Sequence, residues 1–247
     1  MELELKEIDL FKRIIDALSS LMSDVSLDLT KEGLSIKAMD PANVAMILFS
    51  GKPGMFEQFN LDKDTKLSVS LLDLVNVFKL VKRGEKVKLT DIKNRLIIDV
   101  VGKTKRKFSI PLIDENYTAQ KVPQLKFSAE GTILSQIMRD GIKGAVLVDD
   151  SIYISVSRDK LMMSAKSDDK EFVEDISINE NKDIFDLRAE DADTKSKYSI
   201  DYLSKFLDAV DPEKPLKFYI AKNYPLKIDY ELDSNASVSF ILANRIE

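Results

Sequence analysis

SVSLLDLVNVFKLVKRGEKVKLT (residues 68–90) and YSIDYLSKFLDAVDPEKPLKFYI (residues 198–220) have the same layout. Each begins at the end of a strand, continues into a helix with one apolar face, passes through a charged turn and enters another strand. A layout that recurs in both halves of a chain predicts a duplicated fold, because each copy repeats one supersecondary unit.

The segments around these two stretches repeat in the same order. Apolar residues at helical spacing predict helices at residues 10–21, 71–81, 133–142 and 200–210. Alternating apolar and polar residues predict strands between and after these helices. The sequence therefore predicts an α+β fold of two similar halves, each an antiparallel sheet with two helices on one face.

The residues at the helix ends suggest where each helix begins and stops. Asp9 precedes the first helix and is the expected N-cap, since its carboxylate can accept a hydrogen bond from the first turn. Gly84 is expected to end the second helix, and Gly141 and Gly144 are expected to fray the third.

The duplication divides the 247 residues into two domains of ordinary size. We place the N-terminal domain at residues 1–113 and the C-terminal domain at residues 126–247. Between them, residues 114–125 contain Pro123 and show neither the helical nor the strand period. This segment is the expected connecting loop.

The composition excludes several kinds of active site. The chain contains no Cys and no His, so disulfides, imidazole catalysis, Cys nucleophiles and His/Cys zinc sites are impossible. No apolar run approaches the ~20 residues of a membrane span, and the N-terminal MELELKEIDL has the alternation of a strand and not of a signal peptide. We expect a cytoplasmic protein that does not bind membranes.

Cations lie on the predicted helices opposite the apolar stripes. Lys79, Lys82 and Arg83 are three and four residues apart and share one predicted helix face. One basic face is usually only solvated, but neighbouring helices of a duplicated fold would sum their charges into a field for phosphates. The formal net charge of −5 argues against this second interpretation, as does the acidic fourth helix. The other cations with this placement are Lys12, Arg13, Arg139 and Lys143.

Two further segments allow two interpretations each. KAMDPANVAMILFSG (residues 37–51) is either a turn followed by a buried central strand or part of an exposed, Met-rich binding surface. The basic GKTKRKF (residues 102–108) and the acidic SDDKEFVED (residues 167–175) are either unrelated sheet edges or edges that pair between chains, head to tail.

Acidic residues cluster at 149–150, 168–169 and 191–193. Carboxylates can bind Mg²⁺ or catalyse glycoside hydrolysis, but these clusters lie in turn-like segments typical of solvated loops. We identify no catalytic constellation, and a carboxylate-dependent hydrolase is only a minor alternative.

Four motifs carry a family resemblance: KAMDPANVAMILF, KFSIPLID, YSIDYLSKFL and the final FILANRIE. In their order and spacing the chain resembles an archaeal sliding clamp of the proliferating cell nuclear antigen family, over essentially its whole length. The resemblance implies two duplicated α+β halves per chain and three chains closed head to tail into a ring, with helices lining the hole. It also implies a protein that is not an enzyme and has no cofactor.

The resemblance implies three sets of functional residues. Duplex DNA would be met, without reading of its sequence, by Lys12, Arg13, Lys79, Lys82, Arg83, Arg139, Lys143 and Lys205. A partner peptide would bind at Met39, Val44, Met46, Val122, Pro123, Pro225, Ile241, Leu242 and Ala243. The subunit interface would pair the strand ending at Pro111 with residues 172–178, and would include Lys105, Lys107, Phe108, Ile110, Glu171, Glu174 and Ile176.

The partners implied by the resemblance are DNA polymerase, a clamp loader of the replication factor C type, flap endonuclease and DNA ligase. Asn244 stands where the family commonly has Pro, which frees a backbone N–H and is expected to loosen the turn. Asp201 and Asp208 stand where the family often has basic residues. They motivate an alternative in which the chain is a specialised or checkpoint-type subunit of a mixed ring.

Overall fold

The computed structural model describes residues 1–113, 121–190 and 194–246. Two compact units account for the chain. The first unit consists of Met1–Pro41, Ile47–Lys121 and Glu231–Val238, and the second of Ala42–Met46, Val122–Tyr230 and Ser239–Glu247. No helix within the described residues is long and apolar enough to span a bilayer.

The predicted duplication is confirmed by the order of the elements. Among the described residues each half has one strand, a helix, five strands, a second helix and three strands. In the first half these are β1 (Glu2–Leu5), α1 (Ile8–Ser19), β2 (Asp24–Thr30), β3 (Gly33–Met39), β4 (Ala45–Gly51), β5 (Phe56–Asn60), β6 (Thr65–Ser70), α2 (Leu71–Lys79), β7 (Lys86–Ile92), β8 (Arg95–Val101) and β9 (Lys105–Pro111).

The second half repeats this order with similar element lengths. Its elements are β10 (Ala129–Leu134), α3 (Ser135–Ala145), β11 (Ser151–Val156), β12 (Lys160–Lys166), β13 (Glu171–Ser177), β14 (Ile184–Ala189), β15 (Ser196–Ser199), α4 (Ile200–Asp208), β16 (Pro215–Ile220), β17 (Leu226–Asp233) and β18 (Ala236–Leu242).

Antiparallel sheets form the scaffold of each unit. In the first unit one sheet has the order β5-β1-β7-β8-β9, and another group of strands has the order β4-β3-β2-β6. In the second unit the orders are β13-β12-β11-β15 and β14-β10-β16-β17. Strands β9 and β13 are therefore both sheet edges, as the sequence predicted for these two charged segments.

Each unit contains two amphipathic helices whose apolar faces are buried. Helices α1 and α2 pack together through Phe11 and Phe78, whose ring centroids are 5.1 Å apart. In the second unit Phe206 of α4 stacks on Phe240 of β18 at 4.7 Å. Burial of large aromatic side chains supplies much of the hydrophobic stabilisation of such a core.

Three predicted helix ends were wrong. Helix α1 begins at Ile8 after Glu7, with no side-chain cap. Asp9 lies within the first turn, where its negative charge interacts favourably with the positive end of the helix dipole. Helix α2 ends at Lys79 and not near Gly84, because the amides of Leu80 and Val81 bond back three residues and tighten the last turn.

The third error concerns α3, which continues through Gly141 and Gly144 to Ala145. These glycines do not fray the helix. A Cβ atom at Gly144 would overlap the Phe172 ring, and one at Gly141 would overlap Met163. The absence of a side chain at both positions lets α3 lie close to β12 and β13.

The N-cap of α2 gives a stability test with an internal control. The Ser70 hydroxyl accepts a hydrogen bond from the Asp73 amide at 3.3 Å, whereas Ser199, which precedes α4, makes no such bond. We expect Ser70→Ala to lower the free energy of unfolding by about 1 kcal/mol, and Ser199→Ala to lower it less. Denaturant unfolding of both variants measures this; equal losses would show that the cap bond contributes nothing.

Candidate nucleic-acid interface and partner surfaces

The predicted DNA-facing cations of the first unit divide into two groups. Lys12 and Arg13 lie on α1, and Lys79 lies in the last turn of α2. Lys82 and Arg83 do not lie on a helix, contrary to the sequence prediction. They occupy an exposed turn closed by a hydrogen bond from the Lys82 amide to Glu85 Oε2 at 2.8 Å, with Gly84 at a φ of 82°.

The cations of this unit differ in what they already bind. The Lys12 ammonium donates a 2.7 Å hydrogen bond to the Val81 carbonyl, just beyond the end of α2. The side chains of Arg13 and Lys79 make no hydrogen bond or ion pair with any residue in the described ranges. Among the three cations carried by helices, Arg13 and Lys79 are therefore better candidates than Lys12 for contact with phosphate.

The predicted DNA-facing cations of the second unit are all close to carboxylates. Arg139 approaches Asp208 at 3.9 Å, Lys143 approaches Asp140 at 3.1 Å, and Lys205 approaches Asp201 at 2.8 Å. Hydrogen bonds from Gln136 and then Lys143 hold the pKa of Asp140 below its usual value, so this carboxylate is ionised at neutral pH. The positive charge available to phosphates is consequently weaker on α3 and α4 than on α1 and α2.

The predicted peptide-binding residues differ in accessibility. Within the second unit Val122 is 41% exposed, Pro123 is exposed, and Val44, Pro225 and Ala243 are half-buried. The Ala243 amide donates to the Val44 carbonyl at 2.8 Å, which brings these two together. Met46, Ile241 and Leu242 of the same unit are buried. Met39 is half-buried at the end of β3 in the first unit.

Much of the KAMDPANVAMILFSG segment is a buried strand. Met46 and Ile47 are each 1% exposed and Phe49 is 2% exposed. The segment turns at Asn43, which has a φ of 58°, a left-handed conformation that asparagine tolerates better than most residues. A binding surface here is limited to the turn at residues 41–44, since the first three residues of β4 are buried.

The C-terminal tail is fixed, in contrast to the looseness expected from Asn244. The Arg245 guanidinium donates to Asp150 Oδ1 and to the Ser151 hydroxyl, both at 2.6 Å, and the Arg245 amide donates to the Lys197 carbonyl at 2.7 Å. Hydrogen bonds from Arg245 and then Ser151 lower the pKa of Asp150 to about 2. Sequence reasoning missed this pair, since no local pattern links residues 95 positions apart.

Sequence reasoning also missed an aromatic cluster that includes Tyr224, the residue before Pro225. The Phe127 ring lies 5.6 Å from that of Tyr219 and 5.8 Å from that of Tyr224. Together with Glu130, Arg188 and others, Phe127 and Tyr219 line a cavity of about 380 Å³. The alternation of apolar and polar residues indicates which side of a strand a residue lies on. It does not show that these three aromatic rings, which come from separate segments, lie in contact.

Most of the predicted subunit-interface residues lie on accessible sides of the two edge strands. On β9, Lys105 and Lys107 are exposed, Phe108 is half-buried and Ile110 is buried. On β13, Glu171 is exposed while Glu174 and Ile176 are half-buried. Exposed apolar side chains accompany each edge: Leu80 of the first unit is 54% exposed, and Val173 of the second is 56% exposed.

The basic charge of β9 is partly compensated within the first unit. Arg106 forms an ion pair with Glu85 and donates to the Leu80 carbonyl at 2.8 Å, and Lys107 lies 3.7 Å from Asp99. Lys105 has no ion-pair partner among the described residues. The edge therefore presents less free positive charge than its sequence suggests.

The acidic clusters form no metal site in the part of the chain that the structure describes, where no three acidic residues are arranged to hold an ion. Asp150 is engaged by Arg245, and Asp149 lies 3.9 Å from Lys197. Residues 191–193 lie outside the described residues. Nothing in the described clusters supports the hydrolase alternative.

Comparison with known proteins agrees with this geometry. The protein-family model of the proliferating cell nuclear antigen N-terminal domain matches residues 1–114. The DNA polymerase sliding clamp of Thermofilum pendens is 30% identical over 238 residues, which cover 96% of each chain. The chain belongs to the proliferating cell nuclear antigen family of DNA polymerase sliding clamps.

Solved structures share the whole fold. A PCNA2–PCNA3 complex from Sulfolobus tokodaii contains a chain with a TM-score of 0.89 and 26% identity, with 100% of both chains covered. The PCNA of A. fulgidus, solved with the C-terminal region of FEN-1 bound, has a TM-score of 0.89 and 24% identity over 100% of this chain and 98% of that one.

Glu174 on the edge strand β13 has a partly buried carboxyl group whose effect on stability can be tested. Its Oε2 atom is buried without a hydrogen-bond partner among the described residues, and burial, followed by the charge of Asp140, raises the pKa of its carboxyl group. A raised carboxyl pKa destabilises the folded chain at pH values above that pKa, and the penalty disappears as pH falls through it.

We therefore expect Glu174→Gln to raise the Tm of the dilute, unassembled chain by about 2 °C at pH 7, and to leave it unchanged near pH 4. Glu171→Gln, at an exposed position on the same strand, is the matched control and should have no effect at either pH. A lower Tm for Glu174→Gln at pH 7 would show that the buried Glu174 carboxylate does not destabilise the folded chain.

Proposed function

We propose that this chain is a non-enzymatic processivity factor that acts on chromosomal DNA in the cytoplasm. Several copies close head to tail into a ring around duplex DNA, and the helix-borne cations attract phosphates without reading the sequence. The observation that supports this most directly is the uncompensated pair Arg13 and Lys79 on the paired helices of a chain whose net charge is −5.

The ring closes in this proposal through β9 of one chain and β13 of the next. Both are sheet edges with unpaired backbone groups, and one chain carries both. Edges of unlike charge on a single chain favour head-to-tail association over pairing of like edges. Such a heterologous contact forms a closed ring when its rotation closes, and a filament when it does not.

The DNA contact is tested by charge reversal on the helices. We expect Lys79→Glu to reduce stimulation of a cognate DNA polymerase several-fold, because it puts a negative charge where phosphate must approach. Lys205→Glu should have a smaller effect, since Lys205 is already paired with Asp201 at 2.8 Å. Primer-extension assays at increasing salt measure both variants, and native mass spectrometry checks that assembly is intact. If the two variants reduced stimulation equally, or if neither reduced it, Lys79 would not be the phosphate-contacting residue that we propose.

Partner proteins dock in this proposal on the surface of the second unit that includes Val44, Val122, Pro123, Pro225 and Ala243, together with the buried Met46, Ile241 and Leu242. The partners are DNA polymerase, a clamp loader of the replication factor C type, flap endonuclease and DNA ligase. Each carries a short peptide with a Gln and apolar anchors. The FEN-1 segment bound to the A. fulgidus relative supports this choice of ligand.

Val122 is the best position at which to test docking. It is 41% exposed, so a polar substitution leaves the core intact, whereas Leu242 is 1% exposed and its substitution would unfold the unit. We expect Val122→Asp to weaken binding of a Gln-anchored peptide at least tenfold, through loss of apolar burial. Ile92→Asp, at a position 53% exposed on the end of β7, should bind normally. Calorimetry showing normal affinity for Val122→Asp would contradict the docking surface.

A second candidate function is a subunit of a mixed ring. It is favoured by the similarity to a chain in the PCNA2–PCNA3 complex and by the acidic Asp201 and Asp208 of α4. Native mass spectrometry of the purified chain separates the two candidates. A homotrimer supports the first, and a monomer or dimer that assembles only with another clamp subunit supports the second.

A further inference from the structure

One contact occurs twice, at equivalent positions of the two units. Lys12 is the fifth residue of α1, and it donates to the Val81 carbonyl, which lies two residues beyond the end of α2. Arg139 is the fifth residue of α3, and it donates to the Val210 carbonyl at 2.7 Å, which lies two residues beyond the end of α4. Arg139 also donates to the Leu207 carbonyl.

The ends of α2 and α4 have the same need for a donor. In α2 the amides of Leu80 and Val81 bond back three residues, and in α4 those of Ala209 and Val210 do the same. The Val81 and Val210 carbonyls lie just beyond these tightened turns, at the negative end of the helix dipole, whereas the Leu207 carbonyl already accepts the Val210 amide. A cation from the neighbouring helix satisfies both the hydrogen bond and the charge.

The two contacts use different chemistry at the same place. Lys12 reaches one carbonyl, whereas Arg139 reaches two with its guanidinium and has a side chain only 21% exposed. The burial of the Arg139 Nε atom confirms that this side chain is directed into the protein. Recurrence of the contact with different residue types indicates that the arrangement, and not one particular side chain, is what the fold requires.

We propose that Lys12 and Arg139 are positioning residues that hold the last turns of α2 and α4, and that they do not themselves bind phosphate. Lys79 projects from the last turn of α2 and Lys205 from the last turn of α4. The two contacts thereby fix the places from which these lysines meet DNA. This inference rests on the proposed function, and it removes two residues from the predicted phosphate-binding set.

The first arm of the test is thermal stability. Lys12→Gln and Arg139→Gln remove the charge, and we expect each to lower Tm by about 2–6 °C. The conservative Lys12→Arg and Arg139→Lys should restore most of the loss. The matched controls are Arg13→Gln, next to Lys12 on α1, and Lys143→Gln, one turn beyond Arg139 on α3; both should keep the Tm of the unmodified protein.

The second arm is the salt dependence of binding to a short labelled duplex. Each phosphate contact contributes about 0.9 to the slope of log K against log salt. Lys79→Gln should reduce the slope. Lys12→Gln and Arg139→Gln should reduce it only together with a lower Tm, because each weakens the contact of the lysine that it positions and makes none of its own. A reduced slope for Lys12→Gln or Arg139→Gln, with Tm unchanged, would overturn the proposal.

The third arm measures coupling and distinguishes positioning from simple stabilisation. If Lys12 positions Lys79, neutralising Lys79 should weaken DNA binding less in the Lys12→Gln background than in the unmodified protein. Arg13→Gln and Lys79→Gln should instead be additive. Additivity of Lys12→Gln with Lys79→Gln would overturn the positioning role. If the unmodified protein binds no DNA at all, the proposed function is wrong, while the thermal arm still decides whether the two cations hold the helix ends.

Discussion

Packing of two amphipathic helices in each unit is the interaction on which the rest of the structure depends. The Phe11–Phe78 contact in the first unit shows its form, with large rings buried between helices. Because the apolar faces are directed inward, the polar faces and the helix ends are left for charged residues. The chain then has to satisfy the carbonyl groups at those ends, and it does so with Lys12 and Arg139. Packing thus determines which cations are used internally and which stay available.

The distribution of charge follows from this division. An acidic chain can attract a polyanion only where its cations are not already neutralised. Arg13 and Lys79 satisfy that condition among the described residues, whereas Lys143 and Lys205 lie close to carboxylates of their own helices. The two units have the same fold but differ in electrostatic character. Duplication therefore preserved the backbone and the helix-end contacts while the outer faces diverged.

The sequence predicted the duplication, the four helices and the two charged edges because these depend on local periodicity. It failed at Asp9, Gly84 and Gly141, where the outcome depended on tertiary packing or on how the last helical turn closes. It also placed Lys82 and Arg83 on a helix, since a basic run after an apolar stripe does not reveal where the helix ends. The Asp150–Arg245 pair and the Phe127 cluster join distant segments, and no local pattern could have indicated them.

The ion pair between Arg245 and Asp150 determines how the C-terminal segment responds to pH and to salt. With the pKa of Asp150 at about 2, mild acidification leaves the carboxylate ionised and the tail held in place. Added electrolyte acts differently, since the Asp150 side chain is 70% exposed and mobile ions can screen its attraction to Arg245. Ionic strength, and not proton concentration, is then the variable that would free the last residues of the chain.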